Sequence, residues 1–435
     1  MIAIKSAFGT LALVVLAGYA ALAQQAPAPS RPAGPAAPAS VGVAADRLER
    51  LHQGMQGFID RKEAGGIVTL IARDGKIADL HASGYQDVES KTPMRTDTLF
   101  RIASMTKPVT SVAVMMLYEE GKLQLSDPVS RFIPAFKGSR VLEGAATEPV
   151  AARRAITIRD LLSHRSGLTY GFLHNAGVGA SYRKNGISDG LAPTSLTLAE
   201  AIDKLAAEPL MAQPGAAWNY SLSSDVLGRV VEVVSGMPFQ VFMRERIIKP
   251  LKMVDTDFIV PEAKWSRMAT MYSPDGSGGL RPMKDPESFG NALMSPTGAY
   301  KEPKTYYSGG AGLVSTARDY ARFAQMLLNG GVLEGTRLLS PKSIELMTTS
   351  HTADLPGSAV MGPGAQFGLG FRVITDLAAS QSLGSTGMYG WLGIYGTTFW
   401  VDPKERMVSI VLVQRYPGSQ VAGAFVPLVY QSLVK

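Results

Sequence analysis

Hydrophobic and polar positions alternate with two different periods near the beginning of the chain. Over residues 45–63 the apolar positions recur every three or four residues, which predicts an amphipathic helix. From Gly66 the period becomes that of strands, and residues 67–72 and 77–82 flank the dipeptide Asp74-Gly75. Asp-Gly supplies the positive φ angles of tight turns, so this segment is predicted to be a β-hairpin.

The end of the chain has the same strand-like character, and the middle does not. Residues 370–374, 397–401 and 407–414 are predicted strands, with a turn at 402–405 between the last two. Helical patterns dominate between the two ends, over residues 108–120, 157–162, 198–207, 224–235 and 316–329. This segregation predicts an α+β fold with one antiparallel sheet built from both chain ends, flanked by helices, and a central, mainly helical lobe at about residues 105–300.

The first 45 residues have a different composition from the rest. Lys5 precedes an apolar run over residues 7–22, and Ala21-Leu22-Ala23 has the small-x-small pattern of a cleavage site. We therefore expect residues 1–23 to be a signal peptide, the protein to be exported to the periplasm or secreted, and no stable membrane anchor to remain. Residues 24–45 are rich in Ala and Pro, which predicts a disordered tether, followed by one folded domain over 46–435.

Composition excludes several kinds of chemistry. The sequence contains no cysteine, which removes thiol catalysis and thiolate metal sites. The five histidines form no H-E-x-x-H motif and no i, i+4 pair, so neither a metal nor another cofactor is expected. Among them, His164 is the best candidate for a functional group. The net charge of +7 is scattered rather than gathered in a stripe, which argues against nucleic-acid binding.

One serine pattern has the context of a catalytic group. No G-x-S-x-G motif is present, but the pattern S-x-x-K places an amine one helical turn from a hydroxyl, where it can accept the proton of a nucleophile. At Ser104 the pattern opens an apolar, buried helix with Pro108 in its first turn. Two further matches are attributed to chance, one in a predicted polar loop and one at a predicted frayed C-terminus. The three pairs are Ser104–Lys107, Ser181–Lys184 and Ser432–Lys435.

Around Ser104 the sequence resembles the serine β-lactamase-like superfamily, especially the class C β-lactamases and the family VIII carboxylesterases. The resemblance spans roughly residues 48–414 and rests on the segments 99–108, 157–164, 308–316 and 367–371. It implies that Ser104 is the nucleophile, with Lys107 and Tyr220 as proton carriers. The Y-x-N motif of the lactamases is Tyr220-Ser221-Leu222 here, so the amide that helps bind a lactam side chain is missing.

The third element of the family, K-T-G in the lactamases, corresponds to Trp391-Leu392-Gly393, a form similar to that of the family VIII esterases. The resemblance implies an oxyanion hole formed by the backbone N–H groups of Ser104 and Ile394. An indole in place of the lysine removes a cation for a substrate carboxylate, which favours neutral substrates. We therefore expect a carboxylesterase for short-chain neutral esters that works through an acyl-enzyme. The alternatives are a β-lactamase, a D-aminopeptidase or a transesterase on the same fold, or a penicillin-binding module without turnover.

Overall fold

Both ends of the chain contribute strands to one antiparallel sheet. The computed structural model describes residues 36–434, except residues 145–147, 299, 302–303, 354 and 358–360. The described strands are β1 (Gly66–Arg73), β2 (Lys76–Asp87), β3 (Thr92–Pro93), β4 (Phe100–Arg101), β5 (Arg140–Val141), β6 (Val150–Ala151), β7 (Tyr272–Pro274), β8 (Leu280–Pro282), β9 (Glu287–Phe289), β10 (Ala292–Met294), β11 (Val314–Ser315), β12 (Val332–Leu333), β13 (Thr336–Arg337), β14 (Ala365–Phe367), β15 (Arg372–Ile374), β16 (Tyr389–Leu392), β17 (Thr398–Asp402) and β18 (Met407–Val413). The main sheet has the order β14-β15-β16-β17-β18-β1-β2-β3, which confirms the predicted architecture.

The predicted helices are also present, with shifts of up to three residues at their ends. The described α-helices are α1 (Ala45–Asp60), α2 (Thr106–Glu119), α3 (Ile158–Leu162), α4 (Gly177–Lys184), α5 (Leu198–Ala206), α6 (Ser223–Ser235), α7 (Phe239–Met243), α8 (Ala317–Leu328), α9 (Pro341–Met347), α10 (Leu377–Ser380) and α11 (Val421–Tyr430). Thr157, Thr197 and Thr316 begin α3, α5 and α8 by accepting a hydrogen bond from a backbone N–H three residues on. Such caps satisfy donors that the first turn leaves free.

The central strands of the sheet are covered on both faces. Every residue of β18 is buried, and so is every residue of β1 except Arg73. Helix α8 packs against β1, β17 and β18, while α1 packs against β2 and α11, and α11 contacts β18. Strands enclosed in this way have continuous apolar sequences rather than an alternating pattern.

Helix α2 is the centre of the helical part and leads to the candidate site. All residues over 106–117 are buried, and the helix packs against α6. The short pair β4–β11 joins the residues before α2 to the segment after residue 312, since Arg101 is paired with Val314. The loop at residues 308–312 is thereby held beside the first turn of α2.

The prediction of a tether up to residue 45 is wrong for its last part. Residues Pro38–Val41 form a 3-10 turn, and Val41 and Val43 are buried. The Ala36 N–H donates to the Ile77 carbonyl at 2.8 Å, and Val43 bridges to Leu433. These apolar contacts outweigh the Pro-rich composition. The predicted signal peptide and the first part of the predicted tether lie outside the described residues.

A helix must be long and apolar to span a membrane. Within the described ranges, no single helix is long and apolar enough to cross a membrane. One helix pair bent by 83°, Ser223–Ser235 with Phe239–Ile248, reaches that length and composition when its two parts are taken together.

Candidate active site

Ser104 lies in a tight turn rather than at the predicted helix start. The 3-10 turn Ala103–Met105 precedes α2, and Ala103 has a φ of 42°, in the left-handed region that favours glycine. An alanine held in this conformation stores backbone strain, a feature that concentrates at functional sites. The turn leaves the Ser104 side chain partly exposed on the wall of a cleft.

Lys107 is buried directly beneath this serine. Its side-chain nitrogen Nζ donates to Ser104 Oγ at 3.1 Å and to the Gly310 carbonyl at 2.8 Å. Only 1% of Lys107 is exposed, and its Nζ lies 4.6 Å from the ring centre of Tyr220 and 5.3 Å from that of Tyr170. An amine fixed so close to a hydroxyl can accept its proton when the oxygen attacks a carbonyl.

Tyr220 lies three residues before α6 and joins the same cluster. Its hydroxyl accepts a hydrogen bond from Trp391 Nε1 at 3.3 Å, and the two rings are 5.5 Å apart. Helix α6 begins after Leu222, its N-cap residue, which makes no side-chain cap bond. The structure thus brings together Ser104, Lys107, Tyr220 and Trp391 as the sequence predicts, although they come from separate parts of the chain.

Asp225 takes a structural position that the sequence analysis missed. It is buried inside α6, where Oδ1 accepts from Tyr306 Oη at 2.9 Å and from Ser308 Oγ at 2.6 Å. Burial raises its pKa, while Lys107 and these hydrogen bonds act in the opposite direction. Ser308 Oγ in turn accepts from the Gly310 N–H at 3.2 Å, so Asp225 fixes the loop whose carbonyl holds Lys107.

His164 packs against the site and does not line its cleft. The side chain is buried, its ring centre lies 4.9 Å from that of Tyr220, and Nδ1 is 3.1 Å from Ser221 Oγ. Burial, together with the charge of Lys107, lowers its pKa well below the usual value, which favours a neutral ring. Its place in the structure is that of a support for Tyr220 rather than of a group that titrates near neutrality.

The two other S-x-x-K serines are remote from this cluster, but the contexts predicted for them are wrong. Ser181 lies in helix α4, not in a loop, and its Oγ donates to Glu208 at 2.7 Å. Ser432 is fully buried rather than frayed, and its Oγ donates to the Val429 carbonyl at 2.6 Å. Both hydroxyl groups are therefore engaged in local structure.

The turn that follows β16 lies beside the segment that carries Ser104. The Gly393 N–H donates to the Thr397 carbonyl at 2.7 Å, and Thr397 Oγ1 donates to the Ile102 carbonyl at 3.2 Å. A Cβ at Gly393 would stand 2.4 Å from that carbonyl, so only glycine permits this approach. Ile394 lines the cleft, and its N–H donates to no acceptor among the described residues, as an oxyanion donor requires.

The cleft itself is apolar and of small-molecule size. Its volume is about 550 Å³. Aromatic and aliphatic side chains form most of its wall, and among the described residues the two groups of formal charge that line it are Asp189 and Arg372. Burial raises the pKa of Asp189 to about 6. Aromatic and aliphatic lining residues include Tyr170, Phe172, Leu173, Leu191, Trp218, Met361, Trp391 and Leu392.

The acidic and histidine side chains show no metal-binding arrangement in the described structure. Over the part of the chain that the structure describes, no group of three or more His, Asp or Glu side chains is placed to hold a metal ion. Ser104, Lys107 and Tyr220 bring together a hydroxyl, an amine and a phenol at the cleft.

Comparison with known proteins assigns the chain to a family. The Beta-lactamase family profile matches residues 49–426. The chain is 39% identical to an uncharacterized protein of Mycobacterium tuberculosis over 372 residues, covering 82% of this chain and 88% of the relative. It is 36% identical to the esterase EstB of Burkholderia gladioli over 377 residues, covering 85% of this chain and 91% of EstB.

A solved structure agrees with this assignment. The structure of EstCE1, described as a hydrolase with promiscuous acyltransferase activity, superimposes with a TM-score of 0.78 at 32% identity and covers 88% of this chain and 98% of EstCE1. The protein is a serine hydrolase related to carboxylic ester hydrolases, and it belongs to the β-lactamase family.

Proposed function

We propose that this protein is an exported carboxylesterase that hydrolyses short-chain neutral esters through an acyl-enzyme on Ser104. The observation that carries the proposal is the buried Lys107 amine at 3.1 Å from Ser104 Oγ, at the wall of an apolar cleft. Export rests on the pattern of residues 1–23, and N-terminal sequencing of the mature protein, expected to begin at Gln24, tests it.

The acylation step follows from the positions of three side chains. Ser104 Oγ attacks the ester carbonyl carbon while its proton passes to Lys107. The carbonyl oxygen becomes an oxyanion, for which the N–H groups of Ser104 and Ile394 are the donors. When the C–O bond to the alcohol breaks, the proton reaches the leaving oxygen through Lys107 and Tyr220. Water then attacks the acyl-enzyme, and the same groups return the proton to Ser104.

The preference for esters over lactams is inferred from two positions. Leu222, which replaces the family asparagine, is buried and offers no amide to a lactam side chain. Trp391 donates its one N–H to Tyr220 and carries no charge for a carboxylate, where the lactamases have a lysine. Each missing hydrogen bond penalises a lactam and leaves a simple ester unaffected.

A substrate panel tests this proposal. We expect kcat/KM for p-nitrophenyl butyrate to exceed that for nitrocefin by at least about two orders of magnitude, which corresponds to about 2.7 kcal/mol. Ser104→Ala should abolish ester hydrolysis, whereas the control Ser181→Ala should retain it, since that hydroxyl bonds only Glu208 and Asn185. Equal turnover of nitrocefin and the ester would refute the substrate assignment, and retained activity in Ser104→Ala would refute the mechanism. Covalent labelling by nitrocefin without release would indicate a binding module instead.

A further inference from the structure

Among the described residues, Arg372 is the guanidinium group that lines the mainly apolar cleft. Arg372 begins strand β15 and is paired in the sheet with Gly390 of β16, which places it beside Trp391. The Arg372 side chain is partly buried, and its Nε donates to the Met361 carbonyl at 2.7 Å. This bond fixes one edge of the guanidinium to the cleft wall.

The other edge of Arg372 has no partner in the described part of the chain. Among the described residues, neither Nη1 nor Nη2 of Arg372 forms a hydrogen bond, and the side chain enters no ion pair. Other partly buried arginines differ: Arg244 is paired with Asp257 and Arg267 with Asp255. Burial lowers the pKa of Arg372, and no acidic group among the described residues opposes that effect. A cation that loses hydration without a counter-ion destabilises the folded protein unless a ligand compensates for it.

Asp189, the other charged group of the cleft, does not serve as that counter-ion. Its Oδ1 accepts from the Gly171 N–H at 2.9 Å, so it belongs to the loop that carries Tyr170 and Phe172. It forms no ion pair with Arg372 in the described structure. The free edge of Arg372 is therefore left for a group that enters the cleft.

We infer that Arg372 binds a carboxylate of the substrate, so that the cleft takes, besides neutral esters, esters that carry a carboxylate away from the scissile bond. The inference rests on the proposed esterase function and adds a substrate class to it. A guanidinium with a free Nη1/Nη2 edge matches the two oxygens of a carboxylate, and the apolar wall around it strengthens the attraction.

Three esters show in which part of the substrate a carboxylate must lie for Arg372 to bind it. p-Nitrophenyl butyrate is neutral, mono-p-nitrophenyl glutarate carries a carboxylate in the acyl group, and 4-carboxyphenyl butyrate carries one in the leaving group. For each charged ester, the ratio of its kcat/KM to that of p-nitrophenyl butyrate is measured in the parent protein. The same ratios are measured in Arg372→Gln, in Arg372→Lys, and in Arg406→Gln, whose exposed side chain pairs with Asp74.

We expect the ratio for at least one charged ester to fall about tenfold or more in Arg372→Gln, as the loss of a charge-assisted hydrogen bond predicts. Arg372→Lys, which keeps the charge, should restore part of the ratio, and Arg406→Gln should not change it. The ester that responds shows whether the carboxylate lies on the acyl or the alcohol side. Ratios that are the same in all variants would overturn the inference while leaving the esterase function intact. Failure to hydrolyse any of the three esters would instead overturn the proposed function.

A measurement on the unaltered protein does not depend on any variant. If Arg372 attracts the substrate by charge, raising the salt concentration from about 0.05 to about 0.5 M should lower the ratio of charged to neutral ester, because ions screen the pair. A ratio that is independent of salt would contradict a charge-based role for Arg372.

Discussion

Gly310 provides a sharp test of how the nucleophile is activated. A Cβ at this position would stand 2.6 Å from Asp225 Oδ2, 2.9 Å from the Tyr170 hydroxyl and 3.3 Å from Lys107 Nζ. Gly310 does not have a positive φ, so alanine introduces no backbone strain there. The effect of Gly310→Ala is therefore confined to the three side chains that surround the added methyl group.

The size of the effect follows from these distances. The contact with Asp225 is about 0.8 Å shorter than the shortest ordinary van der Waals contact of about 3.4 Å, so side chains or the loop must move by several tenths of an ångström. Lys107 Nζ donates to Ser104 Oγ at 3.1 Å, and a shift of half an ångström weakens or breaks that bond. Misplacement of a catalytic group by about 1 Å costs about 100-fold in rate, so we expect kcat to fall about 10- to 100-fold.

The assay compares kcat and KM for p-nitrophenyl butyrate, with thermal unfolding followed by circular dichroism. Gly418→Ala is the matched control, because a Cβ there has no neighbour within 4 Å and Gly418 also lacks a positive φ. We expect the loss in Gly310→Ala to appear in kcat, with KM nearly unchanged and the fold retained. A folded Gly310→Ala enzyme with the kcat of the parent would refute the argument that this loop positions Lys107.

Two further predictions concern the proton path and pH. Lys107→Ala and Tyr220→Phe should each lower kcat by about two orders of magnitude or more, and the double variant should be little worse than either, because both act in one relay; multiplicative losses would show that they act separately. Burial raises the pKa of Asp189 from 3.8 to about 6, so its ionisation destabilises the folded state and its contribution to stability is lost as the pH rises through that range. Asp189→Asn, which keeps an oxygen acceptor for Gly171, should therefore increase the free energy of unfolding by about 1–3 kcal/mol at pH 8 and much less at pH 4. Urea unfolding at both pH values measures this, and an equal difference at the two would contradict it.

The sequence was sufficient for the features that depend on local pattern. Apolar runs bounded by turn residues identified the strands at both chain ends. The helix after Ser104 was predicted from its apolar residues and from Pro108 in its first turn. The family resemblance placed Tyr220 and Trp391 in the same site, and the structure brings them within hydrogen-bonding distance.

Features that depend on contacts between distant parts of the chain could not be predicted. Asp225 accepts a hydrogen bond from Ser308, which lies 83 positions away in the sequence, and no local sequence pattern predicts this bond. Arg372 appears in the sequence as one of many scattered basic residues, and only the sheet register places it beside Trp391. For Ser181 the local pattern itself was misleading: its polar, Gly-flanked segment predicts a loop, but the segment is helical in the folded protein.

The position of β18 has a consequence for how the chain can fold during synthesis. This strand, Met407–Val413, lies between β17 and β1 in the middle of the sheet, so it pairs with one strand made just before it and one made more than 300 residues earlier. Until the ribosome has released β18, the apolar strand β1 has an open edge in the N-terminal hairpin. We therefore expect nascent chains to remain prone to aggregation until β18 has been made. A premature stop before residue 407 should leave two additional exposed edges, those of β17 and β1, at the centre of the sheet.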